Sequence, residues 1–329
     1  MTDRRPRVSA VVSNFNGAKY LPRLLETLRA QCGVEVEIVV VDRNSTDASA
    51  AILAAHPNVK VVQERPESGL VTGYDVGSAH ASYDLLFFCN EDMWFHPDCL
   101  RRLAERIDLP NRVFAADPWQ WTYDGQIWIH GGTRFRLSRM ELNSPYPARR
   151  YDFTCSLEAG AAVPFACAGA VLMHRSVYRE LGGWDRGFFL DHEDVDLFLR
   201  AWQSGWSCVT VPEAKVYHAV NVSNAKTISG GRQQVSRRRY ISGRSSLAIL
   251  GVKYFTGIHA VVPLLIWAGL TARHAIALRW TRVWWQVIAG REFLRRLPTA
   301  LRYRRAHHRL IRERPGQAWL TAGEFQGST

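Results

Sequence analysis

Val8-Ser9-Ala10-Val11-Val12-Ser13 runs directly into Asn14-Phe15-Asn16-Gly17, and Val36-Glu37-Ile38-Val39-Val40-Val41 ends in Asp42. Each is a short apolar run bounded by turn residues, which is how a buried strand reads. Between them Tyr20, Leu21, Leu24, Leu25 and Leu28 recur at helical spacing. Ser45, Thr46 and Asp47 offer N-cap side chains to a helix through Ile52 and Leu53. Val59 to Val62 gives a third strand, about Val71 to Ala81 a helix, and Asp84 to Cys89 a fourth strand with Asn90-Glu91-Asp92 at its end. Such alternation predicts an α/β domain whose mainly parallel sheet is sandwiched by helices.

Ligands of such sheets bind beyond the carboxyl ends of the strands. Acids stand there twice, at Asp42 and at Glu91-Asp92. No Gly-x-Gly-x-x-Gly follows the first strand, which argues against a dinucleotide site. No Gly-x4-Gly-Lys-Ser/Thr occurs, which excludes a P-loop. A phosphorylated ligand then needs a divalent metal in place of a glycine-rich cradle.

A second cluster lies in Gly182-Gly183-Trp184-Asp185-Arg186-Gly187-Phe188-Phe189-Leu190-Asp191-His192-Glu193-Asp194-Val195-Asp196-Leu197. Four acids fall within six residues, directly after an apolar run. Mutual repulsion and partial burial raise carboxylate pKa values, so the cluster is a candidate for a base, a metal site or both. A structural reading competes. After Asp191 the pattern turns helical, with Asp191 as N-cap and Asp194 as the third helical residue of a variant capping box. Acids in a first turn also suit the helix dipole.

The 329 residues suffice for a large core and one or two domains. Hydrophobic content of 47% with 22% charged residues is globular composition. The six cysteines contain no Cys-x-x-Cys pair, so neither a zinc ribbon nor a disulfide framework is suggested, and a reducing compartment fits best. Met1 to Arg7 is polar and leads into the first strand, so no signal peptide is expected.

With these motifs in order, the chain resembles the family-2 glycosyltransferases. Val8 to Gln31 is similar to their opening strand, Asn-Gly turn and Leu-rich helix. Val40-Val41-Asp42-x-x-Ser45-Thr46-Asp47 is similar to their nucleotide loop, and Tyr83 to Asp92 to the strand leading into their acidic metal motif. Phe165 to His218 resembles the rest of the site, through Gly183-Trp184-Asp185, Glu193-Asp194-Val195-Asp196-Leu197, Arg200, Gly205-Trp206 and Val211-Pro212-Glu213-Ala214. Within the family the likeness is to bacterial rhamnosyltransferases and galactofuranosyltransferases of cell-wall or polysaccharide assembly.

The resemblance implies a GT-A-like fold and an inverting, metal-dependent sugar transfer. It implies a base-binding role for Asp42, and donor or nucleotide contacts at Asn14, Asn16, Ser68, Gly69, Asp75, Asn90 and Glu91. Asp92 and His218 become the expected ligands of Mn2+ or Mg2+. Two-carboxylate chelation is in doubt, because Asn90 stands where the family often has an acid. Asp194 becomes the expected general base, with Asp191, Glu193 and Asp196 as alternatives. Trp184, Asp191 and Glu193 are the expected acceptor contacts, Trp184 being equally readable as core. Ser68 and Asp75 stand where the family usually has Asn, which leaves the sugar open. The expected donor is a nucleoside-diphosphate sugar, dTDP-rhamnose ahead of UDP sugars, and the expected acceptor a lipid-linked glycan.

The net charge of +12 is unevenly placed. Between Arg273 and Arg314 stand twelve arginines against Glu292 and Glu313 alone. The chain is therefore expected to divide into a catalytic domain, 1–225, and a basic, Trp- and Arg-rich, mostly helical region, 226–329. Gly230-Gly231-Arg232, Arg237-Arg238-Arg239 and Gly243-Arg244 read as a flexible cationic stretch, closing over a diphosphate or simply solvated. Residues 254–272 are mostly apolar, near the length that spans a bilayer, but His259 and Pro263 interrupt them. Trp267, Trp280, Trp284 and Trp285 among arginines read as interfacial anchors. Helices lying on an anionic membrane surface are thus expected ahead of a re-entrant or spanning segment, and that ahead of plain core. The place expected is the cytoplasmic face of the cell membrane, with lipid favoured over nucleic acid by the tail's Trp and Leu content. A non-catalytic sugar-nucleotide or lipid-binding module on the same fold is the second reading. A nucleotidyltransferase is a third, disfavoured because residues 14–17 lack its Gly-rich basic loop.

Overall fold

The computed structural model describes residues 5–65, 69–137, 149–153, 158–189, 191–219 and 237–321. In chain order the first half comprises β1 (Arg7–Asn14), α1 (Leu21–Arg29), β2 (Glu35–Asp42), α2 (Ser49–Ala54), β3 (Val59–Gln63), α3 (Leu70–His80), β4 (Leu85–Asn90), β5 (Met93–Phe95) and α4 (Cys99–Ala104). Then come β6 (Val113–Thr122), β7 (Trp128–His130), β8 (Thr133–Leu137), β9 (Arg149–Phe153), β10 (Ala162–Val163), β11 (Ala170–His174), α5 (Arg175–Glu180), α6 (Glu193–Gln203) and β12 (Ser207–His218). The C-terminal helices are α7 (Arg237–Tyr254), a single 3-10 turn (Gly257–Ala260), α8 (Val262–Ile276), α9 (Trp280–Ala306), α10 (His308–Glu313) and α11 (Gly316–Thr321).

The central sheet has the order β10-β12-β6-β11-β4-β1-β2-β3, with β5 beside β12 and β7 beside β6. β1 is parallel to both β2 and β4, β2 to β3, and β12 to β6, while β11 is antiparallel to both of its neighbours. The sheet is thus mainly parallel, as the alternating pattern predicts. Register aligns Asn14 with Asp42, and Ser13 with Asn90, so three polar strand ends meet along one edge.

Side chains alternate across a strand with period two, and the apolar runs feed a core on each face. Val11, Val39 and Phe88 join one cluster, Val12, Val40 and Phe87 the other. The second is closed by the buried leucines of α1 and by Leu100 and Leu103 of α4. The first contains Tyr74 of α3, Trp184, Phe188 and Leu197, and also Leu250 and Tyr254 of α7, Phe293 of α9 and Trp319 of α11. The C-terminal helices therefore share a core with the sheet. α3 approaches the sheet closely through Gly77, where a Cβ would lie 2.5 Å from Val11 Cγ1.

Three local expectations are corrected. α6 begins at Glu193 behind the left-handed N-cap His192, and Asp191, also left-handed (φ 67°), caps nothing. Arg237-Arg238-Arg239 and Gly243-Arg244 lie within α7, so this part of the basic stretch is helical, and 230–232 lie outside the described residues. The apolar stretch 254–272 is not one helix, because extended Thr256 and the 3-10 turn separate α7 from α8. Among the described residues no helix is long and apolar enough to cross a membrane.

Candidate active site

The carboxyl edge of the sheet is built around Asp42. Buried Asn14 donates from Nδ2 to Asp42 Oδ1 at 2.8 Å and to Ser45 Oγ at 3.1 Å, and the Ser45 hydroxyl also donates to Asp42. Asn16, left-handed at φ 54°, accepts the Thr46 amide on Oδ1 at 2.8 Å, while its own amide donates to Ser45 Oγ at 2.9 Å. The β1 turn and the β2 loop are thereby locked together, which fixes the Asp42 carboxylate at the rim. Asp47 serves the same joint, accepting the Ala18 amide at 2.9 Å and the Ser49 amide at 3.0 Å.

Asn90, Glu91 and Asp92 follow β4. The Tyr74 hydroxyl donates to Asn90 Oδ1 at 2.7 Å, and the Asn90 amide donates to the Gly169 carbonyl at 3.0 Å. Glu91 is buried against Gly17, and burial beside Asp92 raises its pKa. Antiparallel pairing of β5 with β12 sets His218 opposite Met93. That pairing brings His218 Nε2 to 3.2 Å from Asp92 Oδ1, an oxygen that is buried and accepts no hydrogen bond. One hard carboxylate oxygen and one imidazole nitrogen therefore converge, a donor pair suited to a divalent cation. Among the described residues no set of three His, Cys, Asp or Glu side chains surrounds a common point.

The acidic helix reaches the same edge through residues 167–169. Asp194 Oδ1 accepts the Val195 amide at 2.8 Å, and its carboxylate also takes the Ala168 amide. A Cβ on Gly169 would lie 3.1 Å from Met93 and 3.3 Å from Asn90 Nδ2, so the loop whose Ala168 amide bonds Asp194 itself packs closely on the end of β4. Burial, and repulsion from Asp191, push the Asp194 carboxyl up to about 6 despite the amides of Val195, Ala168 and Asp194 itself, which lower it. Glu193 is buried with Oε2 unpartnered, and burial with the Asp194 charge raises its pKa further. Asp191 is held instead by Arg239 of α7 at 2.9 Å.

Several residues fall elsewhere. Asp196 is fully buried, bonded to Arg200 at 2.8 Å, to Lys253 and to the Tyr254 hydroxyl at 2.7 Å. Burial alone would raise its pKa, but Lys253 and Arg200 overcome that and bring it to about 2. It is a structural anchor, which removes it from the alternatives for base. Trp184 is 2% exposed and packs on Tyr74, Phe88 and Tyr178, so its ring offers no face to an acceptor. Its burial fits the core reading that stood beside the acceptor contact. Asp75 is grouped with Tyr178 at 3.0 Å and Arg186 at 2.7 Å, not with Asn14 and Asp42. Gly69 serves close approach, since a Cβ there would sit 2.7 Å from the Phe189 carbonyl. Ser68 lies outside the described residues.

The sequence reading missed Asp117 in the middle of β6. It is fully buried, accepts the Gly132 amide at 2.9 Å, and feels the Asp194 charge. Burial pushes its carboxyl up to about 8, and the Asp194 charge acts in the same direction, favouring the neutral acid. An acid inside the apolar run Val113-Phe114-Ala115-Ala116 was the available signal. It also missed Arg43, and it left Arg238 open between closing over a diphosphate and simple solvation. Arg43 stacks on Phe15 at 5.4 Å, and Arg238 of α7 on Phe189 at 3.6 Å.

A family model described as Glycosyl transferase family 2 matches residues 9–182, more than half of the chain. The chain belongs to glycosyl transferase family 2. This glycosyltransferase is 26% identical, over 66% of its own length and 76% of the relative's, to a Mycobacterium tuberculosis protein named N-acetylglucosaminyl-diphospho-decaprenol L-rhamnosyltransferase. Among solved structures it resembles a Pyrobaculum calidifontis mannosyltransferase in complex with GDP-Man and Mn2+, with TM-score 0.53 and 16% identity over 97% of this chain and 84% of that one. It also resembles GalNAc-T7 with UDP, GalNAc and Mn2+, with TM-score 0.57 and 17% identity over 76% of this chain and 48% of that one, so it spans about half of that structure. At these identities the structural likeness establishes the GT-A-like fold.

Proposed function

We propose that this glycosyltransferase moves a sugar, rhamnose first among the candidates, from a nucleoside diphosphate to a hydroxyl of a lipid-linked glycan, with inversion at the anomeric carbon. The observation that carries the reading is the convergence of Asp92 Oδ1 and His218 Nε2, 3.2 Å apart, at the sheet edge that also holds Asp42 and Asp194. The named activity of the mycobacterial relative supports rhamnose and a lipid-linked acceptor. The Mn2+ named with two structural neighbours supports a divalent metal.

Asp42, steadied by Asn14 and Ser45, accepts the ring N–H of a uracil or thymine base. Asp92 and His218 would hold Mn2+ or Mg2+. When bound, the metal neutralises charge on the departing diphosphate. Asp194 takes the proton of the acceptor hydroxyl as that oxygen bonds to the anomeric carbon. The bond from that carbon to the diphosphate oxygen breaks in the same displacement, and the nucleoside diphosphate leaves with its electron pair. Asp191 and Glu193, flanking Asp194, face the acceptor side. Glu91 and Asn90 order the donor side.

The test is a thermal-shift screen of dTDP-rhamnose and UDP sugars with and without Mn2+, followed by assay of nucleotide release and transfer. A metal-dependent shift with one nucleotide class, and turnover lost in Asp194→Asn, is expected. Equal shifts for every nucleotide would refute the donor assignment. Binding without turnover, unchanged in Asp194→Asn, would return the non-catalytic module.

A further inference from the structure

α9 has two apolar faces. Gln286, Ala289, Phe293, Arg296 and Ala300 recur at helical spacing and are buried against α7 and α8. On the opposite face Trp280, Trp284, Val287, Leu294 and Leu301 recur at the same spacing and are exposed. Trp280 is 63% exposed and Trp284 57%. The neighbouring α8 exposes Leu265 and Ile276, the latter at 83%, and Leu278 in the joining turn is 72% exposed. Helices of this kind are normally apolar on one face only. Exposed apolar side chains on two helices that pack together, and on their joining turn, mark a contact surface.

The charge around it selects the partner. Arg273, Arg279, Arg291, Arg295 and Arg302 are exposed on the same two helices and their junction. Glu292 is the one acid between residues 254 and 312. Tryptophans beside arginines suit the boundary between headgroups and acyl chains, with arginine heads in the anionic headgroup layer. We propose that the exposed α8–α9 face lies on an anionic lipid surface. The occupant is the bilayer interface, entered by Ile276, Leu278, Trp280 and Trp284, without a spanning segment.

The position of this face adds a consequence that rests on the proposed lipid-linked acceptor. Asp191, beside Asp194, is held by Arg239, and the next residue, Tyr240, contacts Trp285 at 5.6 Å and receives a hydrogen bond from Gln286 at 2.8 Å. Exposed Trp284 is thus one helix layer from the acidic cluster. An acceptor whose lipid stays in the membrane would reach Asp194 from that side.

The test is flotation of the full chain, without donor, acceptor or metal, on phosphatidylcholine vesicles with and without phosphatidylglycerol. The wild type is expected to float with the anionic vesicles and not with the neutral ones, and less well as salt rises. Trp280→Ser/Trp284→Ser, and separately Leu265→Ser/Ile276→Ser, should keep the circular dichroism spectrum and weaken vesicle binding about tenfold or more. Unchanged flotation of both variants, or no preference for anionic lipid, overturns the proposal. So does a dimer by light scattering that either variant dissolves, because a second copy then covers the face. Retention on RNA without vesicle binding does the same. Vesicle binding with no sugar transfer leaves the proposal standing and removes the proposed reaction. Transfer to a soluble acceptor without vesicle binding does the reverse.

Discussion

Asp194→Asn separates catalysis from stability. A carboxyl with a pKa of about 6 is roughly 90% ionised at pH 7 and 10% at pH 5, so a rate that needs the carboxylate falls about tenfold over that range. An ordinary aspartate near pH 4 would leave the rate almost unchanged. The same shift has an energetic sign. The folded state binds this proton more tightly than the unfolded chain, so the protonated carboxyl contributes stability below pH 4, and the contribution is lost as pH rises through 6. At pH 8 the ionised, buried side chain costs at most about 3 kcal/mol. Asparagine removes that cost and keeps a carbonyl for the Val195 amide, but loses the acceptor facing the Ala168 amide, about 1 kcal/mol. The expected net gain is about 2 kcal/mol at pH 8. The assays are transfer rate against pH for the wild type, and urea unfolding of both proteins at pH 8 and pH 4. Transfer should drop by about 100-fold or more in the variant, while its stability advantage at pH 8 disappears at pH 4. Asp191→Asn should move the acidic limb to lower pH, since Asp191 raises the Asp194 pKa. A limb near pH 4, or an Asp194→Asn protein that is both active and no more stable, would refute the reasoning.

His218→Ala should weaken Mn2+-dependent donor binding by about 10- to 100-fold with little loss of stability, read by isothermal titration of donor with and without metal; unchanged metal dependence would sever His218 from the metal. Lys253→Met removes the cation between Asp185 and Asp196 and leaves buried negative charge unbalanced. It should cost about 3–5 kcal/mol in urea unfolding at pH 7, and a loss under 1 kcal/mol would count against a buried network. Asp196 has a lowered folded pKa, so the stability it contributes is present at neutral pH and lost as pH falls from about 4 to 2. Trp184→Ala should destabilise by about 3–5 kcal/mol in the same measurement; a normal unfolding curve with a raised acceptor KM would restore its role as an acceptor platform.

Strand ends were the readable part of this site. Val8 to Ser13, Val36 to Val41 and Asp84 to Cys89 are apolar enough to be buried strands, so Asn14, Asp42 and Asn90 had to emerge at one edge once the strands ran parallel. What depends on distant pairing was not readable from local pattern. His218 meets Asp92 because β5 pairs with β12 across more than a hundred residues, and only the family resemblance anticipated it. Asp75 looks like a ligand until Arg186, 111 residues away, takes its carboxylate. Asp191 looks like a cap until two left-handed residues turn it toward Arg239.

The acidic cluster and the basic tail belong together, and their charges show why. Arg200 is already spent on Asp196 and on the Leu181 and Gly183 carbonyls, and Asp185 has its ion pair with Lys253 instead. The second cation is Lys253, 57 residues beyond Asp196 on α7 and bonded to both acids, while the Tyr254 hydroxyl donates to Asp196. A buried carboxylate that loses its partner would protonate or pull in water. α6 would then loosen two residues from Asp194. The start of α7 grips the same loop through Arg239 on Asp191 and Arg238 on Phe189. Four acids in six residues are therefore tolerable because one is neutralised by α7's far end, one by its near end, and Glu193 is held toward its neutral form by burial. That leaves Asp194 as the member of the cluster with neither a cationic partner among the described residues nor a strongly suppressed charge, which is the electrostatic condition a general base requires.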